Sequence, residues 1–155
     1  MELSKLSAPF NPSNIHWRVG ATSGDKSKGI ALAYLDARDV MGRFDEVCGL
    51  DGWEVKYPWS DGKKLVCEIS VWNGERWITR ANGAGDTDYE ADKGAFSDAF
   101  KRAAVLFGVG RYLYDLPNSW LPIEQRGKSY VFSIETQNNL SERLGDWQTK
   151  YFRGK

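Results

Sequence analysis

Histidine is almost missing from this sequence. His16 is the single one, which excludes a histidine-rich metal site and speaks against a Ser-His-Asp hydrolase, whose general base it would have to be. Cysteine is scarce as well. Cys48 and Cys67 are the only two and do not form a C-x-x-C pair, so a reduced, intracellular protein fits better than a disulfide scaffold. Net charge is absent, with 21 Lys and Arg against 21 Asp and Glu. Bulk electrostatics therefore give no sign of a nucleic-acid partner, and any such affinity must come from local clustering. No apolar run approaches the ~20 residues of a membrane span, and MELSKLSAPF lacks the apolar segment of a signal peptide. The expectation is a soluble cytoplasmic protein. Nucleotide motifs are missing too. The run Gly20 to Ser27 has the wrong spacing for G-x-x-x-x-G-K-[ST], which argues against ATP binding. The glycine pairs at 83/85 and 108/110 lack the strand–helix context and acidic partner of a dinucleotide site.

What the chain does have is length for one domain with a real core, 155 residues, and a heavy aromatic load of seven Trp, seven Tyr and seven Phe. Residues 1–13, with Pro9 and Pro12, read as an N-terminal arm. Asn14 to Ala21 alternates as a short strand, and residues 22–29 have the composition of a mobile loop. Asp36 can cap a helix whose apolar positions are Ala37, Val40, Met41, Phe44, Val47 and Cys48. Arg38, Asp39, Arg43, Asp45 and Glu46 fall on its other face, and Gly49 is its stop. Three strand-like runs follow: Trp53 to Trp59, Lys64 to Trp72 and Arg76 to Asn82. Short turns at Ser60-Asp61-Gly62 and Asn73-Gly74 make them an antiparallel meander. In the middle run Leu65, Cys67, Ile69 and Val71 share one face. Thr87 and Glu90 form a capping box for a long helix reaching Phe107, with Gly108 as its C-cap. Its roughly 19 residues would span about 28 Å. Phe96, Phe100, Ala103 and Phe107 form one stripe, which Tyr89 extends. Gly94 costs this helix about 1 kcal/mol against alanine, for which a close approach by a strand, a neighbouring subunit or a ligand is the usual reason. Beyond it, residues 130–134 suggest a last strand, and Leu140, Leu144, Trp147 and Tyr151 a final helix.

The fold class is therefore α+β. An amphipathic helix precedes an antiparallel three-stranded meander with a long helix packed across it. The expected organisation is an arm over 1–13, a core domain over 14–123 and a strand/helix tail over 124–155.

Charge is concentrated in one stretch. Residues 93–114, KGAFSDAFKRAAVLFGVGRYLY, carry Lys93, Lys101, Arg102 and Arg111 against Asp98 alone. Cations on the polar side of a helix packed by its aromatic side can meet a phosphate backbone. The plainer explanation is a solvated face, with Asp98 pairing to Arg102 at i, i+4. Arg111 beside Tyr112 and Tyr114 could hold a phosphate while a ring stacks on a base, or the tyrosines could return to the core. The acids Asp86, Asp88, Glu90 and Asp92 suit a helix start better than a metal site. Glu54-Val55-Lys56 echoes a nuclease E-x-K, but two-metal chemistry needs further converging carboxylates.

The 93–114 stretch resembles the signature helix of phage single-strand annealing proteins of the Sak type, relatives of the eukaryotic Rad-type recombination mediator. YLDARDVMGRFDEVCGLDGW (34–53) resembles that family's first helix and its approach to the sheet, and PFNPSNIHWRVG (9–20) its lead-in. The likeness spans roughly residues 9–123 with the order of elements kept. It implies a β-β-β-α core assembled side by side into a closed ring. Single-stranded DNA would be held by its backbone in a positive groove, and complementary strands annealed without ATP. It further implies no catalytic residue, no cofactor and no metal. Lys101 and Arg102 match the family's Lys-Arg pair in the DNA-contacting helix. Arg38 matches a DNA-facing arginine of the phage members, although in a gapless comparison the eukaryotic arginine falls on Asp39. Lys93 and Arg111 match motif positions from which DNA contact is inferred. The partners so implied are single-stranded DNA, the annealed duplex intermediate, further copies of the chain, and a phage exonuclease or host single-strand binding protein. Two other readings compete on element order and acids: a double-stranded RNA-binding module, and a metal-dependent nuclease using Asp51, Glu54, Lys56 or the 86–92 acids.

Overall fold

The computed structural model describes residues 2–60, 64–84 and 91–155, with the backbone alone described at residue 60 and at residues 91–93. Two 3-10 turns (Leu3–Ser7 and Pro12–Asn14) lead to strands β1 (Ile15–Thr22) and β2 (Lys28–Leu35) and helix α1 (Ala37–Cys48). Strands β3 (Trp53–Ser60), β4 (Leu65–Trp72) and β5 (Trp77–Ala84) precede helix α2 (Ala91–Val105). A 3-10 turn (Arg111–Asp115), three short strands, β6 (Trp120–Pro122), β7 (Glu124–Arg126) and β8 (Ser129–Val131), and helix α3 (Ile134–Phe152) complete the chain. The protein is α+β with antiparallel sheets. It divides into two compact units, Met1–Ala8 with Ala37–Tyr112 and Pro9–Asp36 with Leu113–Lys155. Among the described residues no helix is long and apolar enough to cross a membrane.

The first unit is built on the antiparallel meander β3-β4-β5. Alternation along β4 decides its orientation, since Leu65, Cys67, Ile69 and Val71 are all buried. The β4–β5 turn is set by Asn73, whose Oδ1 accepts from the Glu75 and Arg76 amides at 2.9 Å each, and by Gly74 at φ +101°. The expected turn at 60–62 and the capping box at 87–90 lie outside the described residues. Helix α2 lies on β4 and β5, and α1 packs beside it. Phe44 of α1 joins the layers: its ring stacks on Trp53 at 5.1 Å and meets Phe100 at 6.2 Å and Phe107 at 6.0 Å. Of these rings Phe44 and Phe100 are fully buried, and each contributes roughly 1.5–3 kcal/mol.

The face that α2 buries is Ala99, Phe100, Ala103 and Ala104. The expected Phe stripe holds only at its middle. Small alanines bring the helix close to the sheet, while Phe96 remains 54% exposed and meets Tyr57 of edge strand β3 edge-on at 4.9 Å. The helix also stops at Val105 instead of Phe107. Its end is a Schellman turn: the Gly108 amide donates to the Val105 carbonyl (2.9 Å) and the Val109 amide to the Ala104 carbonyl (3.2 Å), with Gly108 at φ +94°. Gly108 is required twice over, because a Cβ there would lie 3.0 Å from Ser7 Cβ. At Gly94, by contrast, a Cβ would meet nothing within 4 Å, so no described strand of this chain accounts for it.

Arg43, read on the polar face of α1, proves to be interior. It is buried, and its Nη1 donates to the carbonyls of Leu6 (3.1 Å) and Ala8 (2.7 Å). Those carbonyls need a donor because the N-terminal 3-10 turn packs beside α1 and places Leu6, only 2% exposed, in the core.

The second unit carries the sheet β1-β2-β6 and the hairpin β7-β8, all antiparallel. The 22–29 loop is shorter than its composition suggests, because β2 begins at Lys28. Asp25 Oδ1 ties the turn together by accepting from Ser23 Oγ (2.8 Å), Ser27 Oγ (2.7 Å) and the Ser27 amide (3.1 Å). Those bonds, the Ser27 hydroxyl first, hold its carboxyl down at about 2. Helix α3 is capped by Ser133, whose Oγ accepts from the Thr136 amide at 3.1 Å. It buries Leu140 and Leu144, and Gln148 Nε2 donates to the Phe10 carbonyl at 3.0 Å.

Candidate nucleic-acid interface

Burial of Ala99, Phe100, Ala103 and Ala104 against the sheet turns the intervening positions of α2 outward. Arg102 is exposed, and Lys101 is half-buried and also interacts within the chain. The pairing that would have made this a plain solvated face does not form. Among the described residues Asp98 and Arg102 make no ion pair. Both cations stand near the C-terminal end of the helix, where the macrodipole stabilises positive charge by about 0.3–1 kcal/mol at the surface.

Two more arginines gather at that end. Arg111, exposed beyond the Schellman turn, directs Nε (3.0 Å) and Nη2 (2.7 Å) onto the Val105 carbonyl. Arg80, on β5, directs Nη1 onto the next carbonyl, Leu106, at 2.6 Å, and its guanidinium lies 5.0 Å from the centre of the Phe107 ring. Register explains how a strand residue reaches the helix end. Arg80 pairs with Ile69, so it shares the helix-facing side of the sheet. Lys101, Arg102, Arg111 and Arg80 thus all belong to the last turns of one helix or bind its final carbonyls.

Arg38 is carried separately, exposed in the first turn of α1. Lys93 belongs to α2, but its side chain lies outside those described. Tyr112 and Tyr114 divide the two readings between them: Tyr112 is buried and Tyr114 is 75% exposed. Glu54 and Lys56 form an exposed ion pair at 3.8 Å on β3, the arrangement of a solvated strand face. Asp86, Asp88 and Glu90, and the side chain of Asp92, lie outside the described residues.

Arg80 is the residue that sequence reasoning missed. Its signal was present, since alternation with Ile78 and Asn82 puts it on the helix side of the third strand. A charged residue on that side of an edge strand reads as solvent-facing until the helix end beside it is known.

Residues 2–132 match the family described as Rad52/22 family double-strand break repair protein. Single-stranded DNA-binding protein DdrA of Deinococcus deserti is 38% identical over 120 residues, which is 76% of this chain and 58% of that protein. The DdrA protein of Deinococcus radiodurans is 37% identical over 121 residues, 75% of this chain and 56% of that protein. The chain spans little more than half the length of these curated relatives.

Proposed function

The chain belongs to the Rad52/22 family of double-strand break repair proteins, and from that premise we propose that it binds single-stranded DNA and anneals complementary strands in recombination and repair. The observation that carries the reading is the outward Lys101–Arg102 pair, on a helix whose other face is buried and whose Arg102 has no acidic partner among the described residues. The similarity to two proteins named for single-stranded DNA binding supports the choice of ligand.

The annealing core is placed over residues 14–123. Lys101 and Arg102 are the principal phosphate contacts, and Arg38, Lys93 and Arg111 are further ones. Contacts of this kind bind without regard to sequence and weaken with salt. A chain with no net charge needs many such patches acting together, and side-by-side assembly into a ring supplies them. Assembly also covers β3 and β5, the edge strands of the meander. Annealing by this route needs no nucleotide, metal or catalytic side chain, and it takes place in the cytoplasm. Kinship with phage proteins of the Sak type is the finer form of the same reading.

The test is annealing of complementary labelled oligonucleotides without ATP or Mg²⁺, with light scattering for assembly and duplex RNA as competitor. Faster annealing by an oligomer is expected. A monomer that neither anneals nor prefers single-stranded DNA to duplex RNA would overturn the proposal.

A further inference from the structure

We infer that Arg80 and Arg111 form a two-guanidinium clamp for a phosphodiester group at the C-terminal end of α2. The inference rests on the single-stranded DNA reading and adds to it a contact from β5, outside the 93–114 stretch.

The two guanidiniums are brought to one place by the consecutive carbonyls of Val105, which also accepts from the Gly108 amide, and Leu106 where the helix ends. Capping accounts for their position but does not exhaust them. Among the described residues three hydrogen bonds hold the pair, and they leave most of the N–H donors unspent. Charge gives the same answer. The helix end offers roughly half a negative elementary charge, against two full positive ones. Among the described residues neither arginine has a carboxylate within ion-pair distance. Arg102, exposed one helical turn before Leu106, adds to the excess.

Both side chains are also exposed and held. The Phe107 ring beside Arg80 and the double contact of Arg111 fix the planes of the forks. Fixing them before binding removes much of the rotamer entropy that a long cation otherwise loses on meeting a ligand. A planar fork with free N–H groups suits the paired oxygens of a phosphodiester, and a lysine offers only a point charge.

The experiment uses the full chain and fluorescein-labelled oligo-dT, with anisotropy followed through a salt series, for wild type, Arg80→Gln, Arg80→Lys and Lys101→Ala. Arg80→Gln is expected to weaken binding several-fold and flatten the log K against log salt slope by about 0.7. Arg80→Lys should keep the slope and lose part of the affinity. A purely capping role would move the unfolding midpoint and leave the slope alone. If folded Arg80→Gln keeps wild-type affinity and slope while Lys101→Ala weakens binding, the clamp is wrong and the DNA reading stands. If wild type binds no oligonucleotide, the DNA reading fails. The clamp is then judged on wild type by the ¹⁵N side-chain resonances of Arg80 and Arg111 during titration with tripolyphosphate. Joint shifts support it and unmoved resonances overturn it. The same titration decides if Arg80→Gln does not fold.

Discussion

Arg38 stands in the first turn of α1, where the helix dipole makes a cation unfavourable by about 0.3–1 kcal/mol. Among the described residues it has no acidic partner. Stability does not explain its presence, and the phosphate contact proposed for it would. Arg38→Ala should therefore leave the urea midpoint unchanged or raise it slightly while lowering affinity for single-stranded DNA. A variant that unfolds more easily and binds normally would assign Arg38 to the fold instead. Tyr57 and Cys67 make the opposite kind of prediction, one about the fold alone. Burial pushes the Tyr57 hydroxyl up to about 12, with Cys67 adding to the shift, and pushes the Cys67 thiol up to about 11. A raised value stabilises the protonated fold fully below the unfolded-state values of 9.0 and 10.0, and that stability is lost as pH rises through the folded-state values. Urea midpoints should hold near neutral pH and fall steadily from pH 9 towards about 12. A flat profile across that window would show that neither group is shielded.

Among the elements, α2 contains an unexplained cost. Gly94 lies inside it, yet a Cβ there would touch nothing within 4 Å. Gly94→Ala should therefore stabilise the chain by up to about 1 kcal/mol, read from urea unfolding under conditions where the protein is monomeric. If the glycine serves a neighbouring copy or the DNA, the same variant should assemble or bind less well. Destabilisation of the monomer would mean an intrachain contact at this position. The elements also show what could be read in advance. The period of α1 and the alternation of β4 are set by which side chains must be dry, so Val40, Phe44, Ile69 and Val71 announced themselves. Strand β2, KGIALAYL, did not, because glycine and alanine have little strand preference and only pairing with β1 and β6 makes it a strand. Leu6 and Phe10 sit in a segment punctuated by proline, and their burial depends on partners far along the chain, the Arg43 and Gln148 side chains that bind the carbonyls beside them. In the candidate site, Lys101 and Arg102 were legible as a local pair. Arg80 was not, because its place follows from sheet register and from where α2 ends.

At the scale of the whole molecule the controlling fact is balance, 21 basic against 21 acidic side chains. A neutral chain is not drawn to DNA at long range, so the proposed affinity rests on locally gathered cations and on the assembly proposed to multiply them. The family match ends at residue 132, before α3 begins at Ile134. The residues of the proposed site all belong to the first unit. The most direct measurement is anisotropy of labelled oligo-dT through a salt series for wild type and for Lys101→Ala/Arg102→Ala, with circular dichroism confirming the fold of both. The account predicts tight, salt-dependent binding by wild type. The double variant should lose it in large part and flatten the slope by about 0.7 for each phosphate contact removed. A folded double variant that binds like wild type would contradict the account.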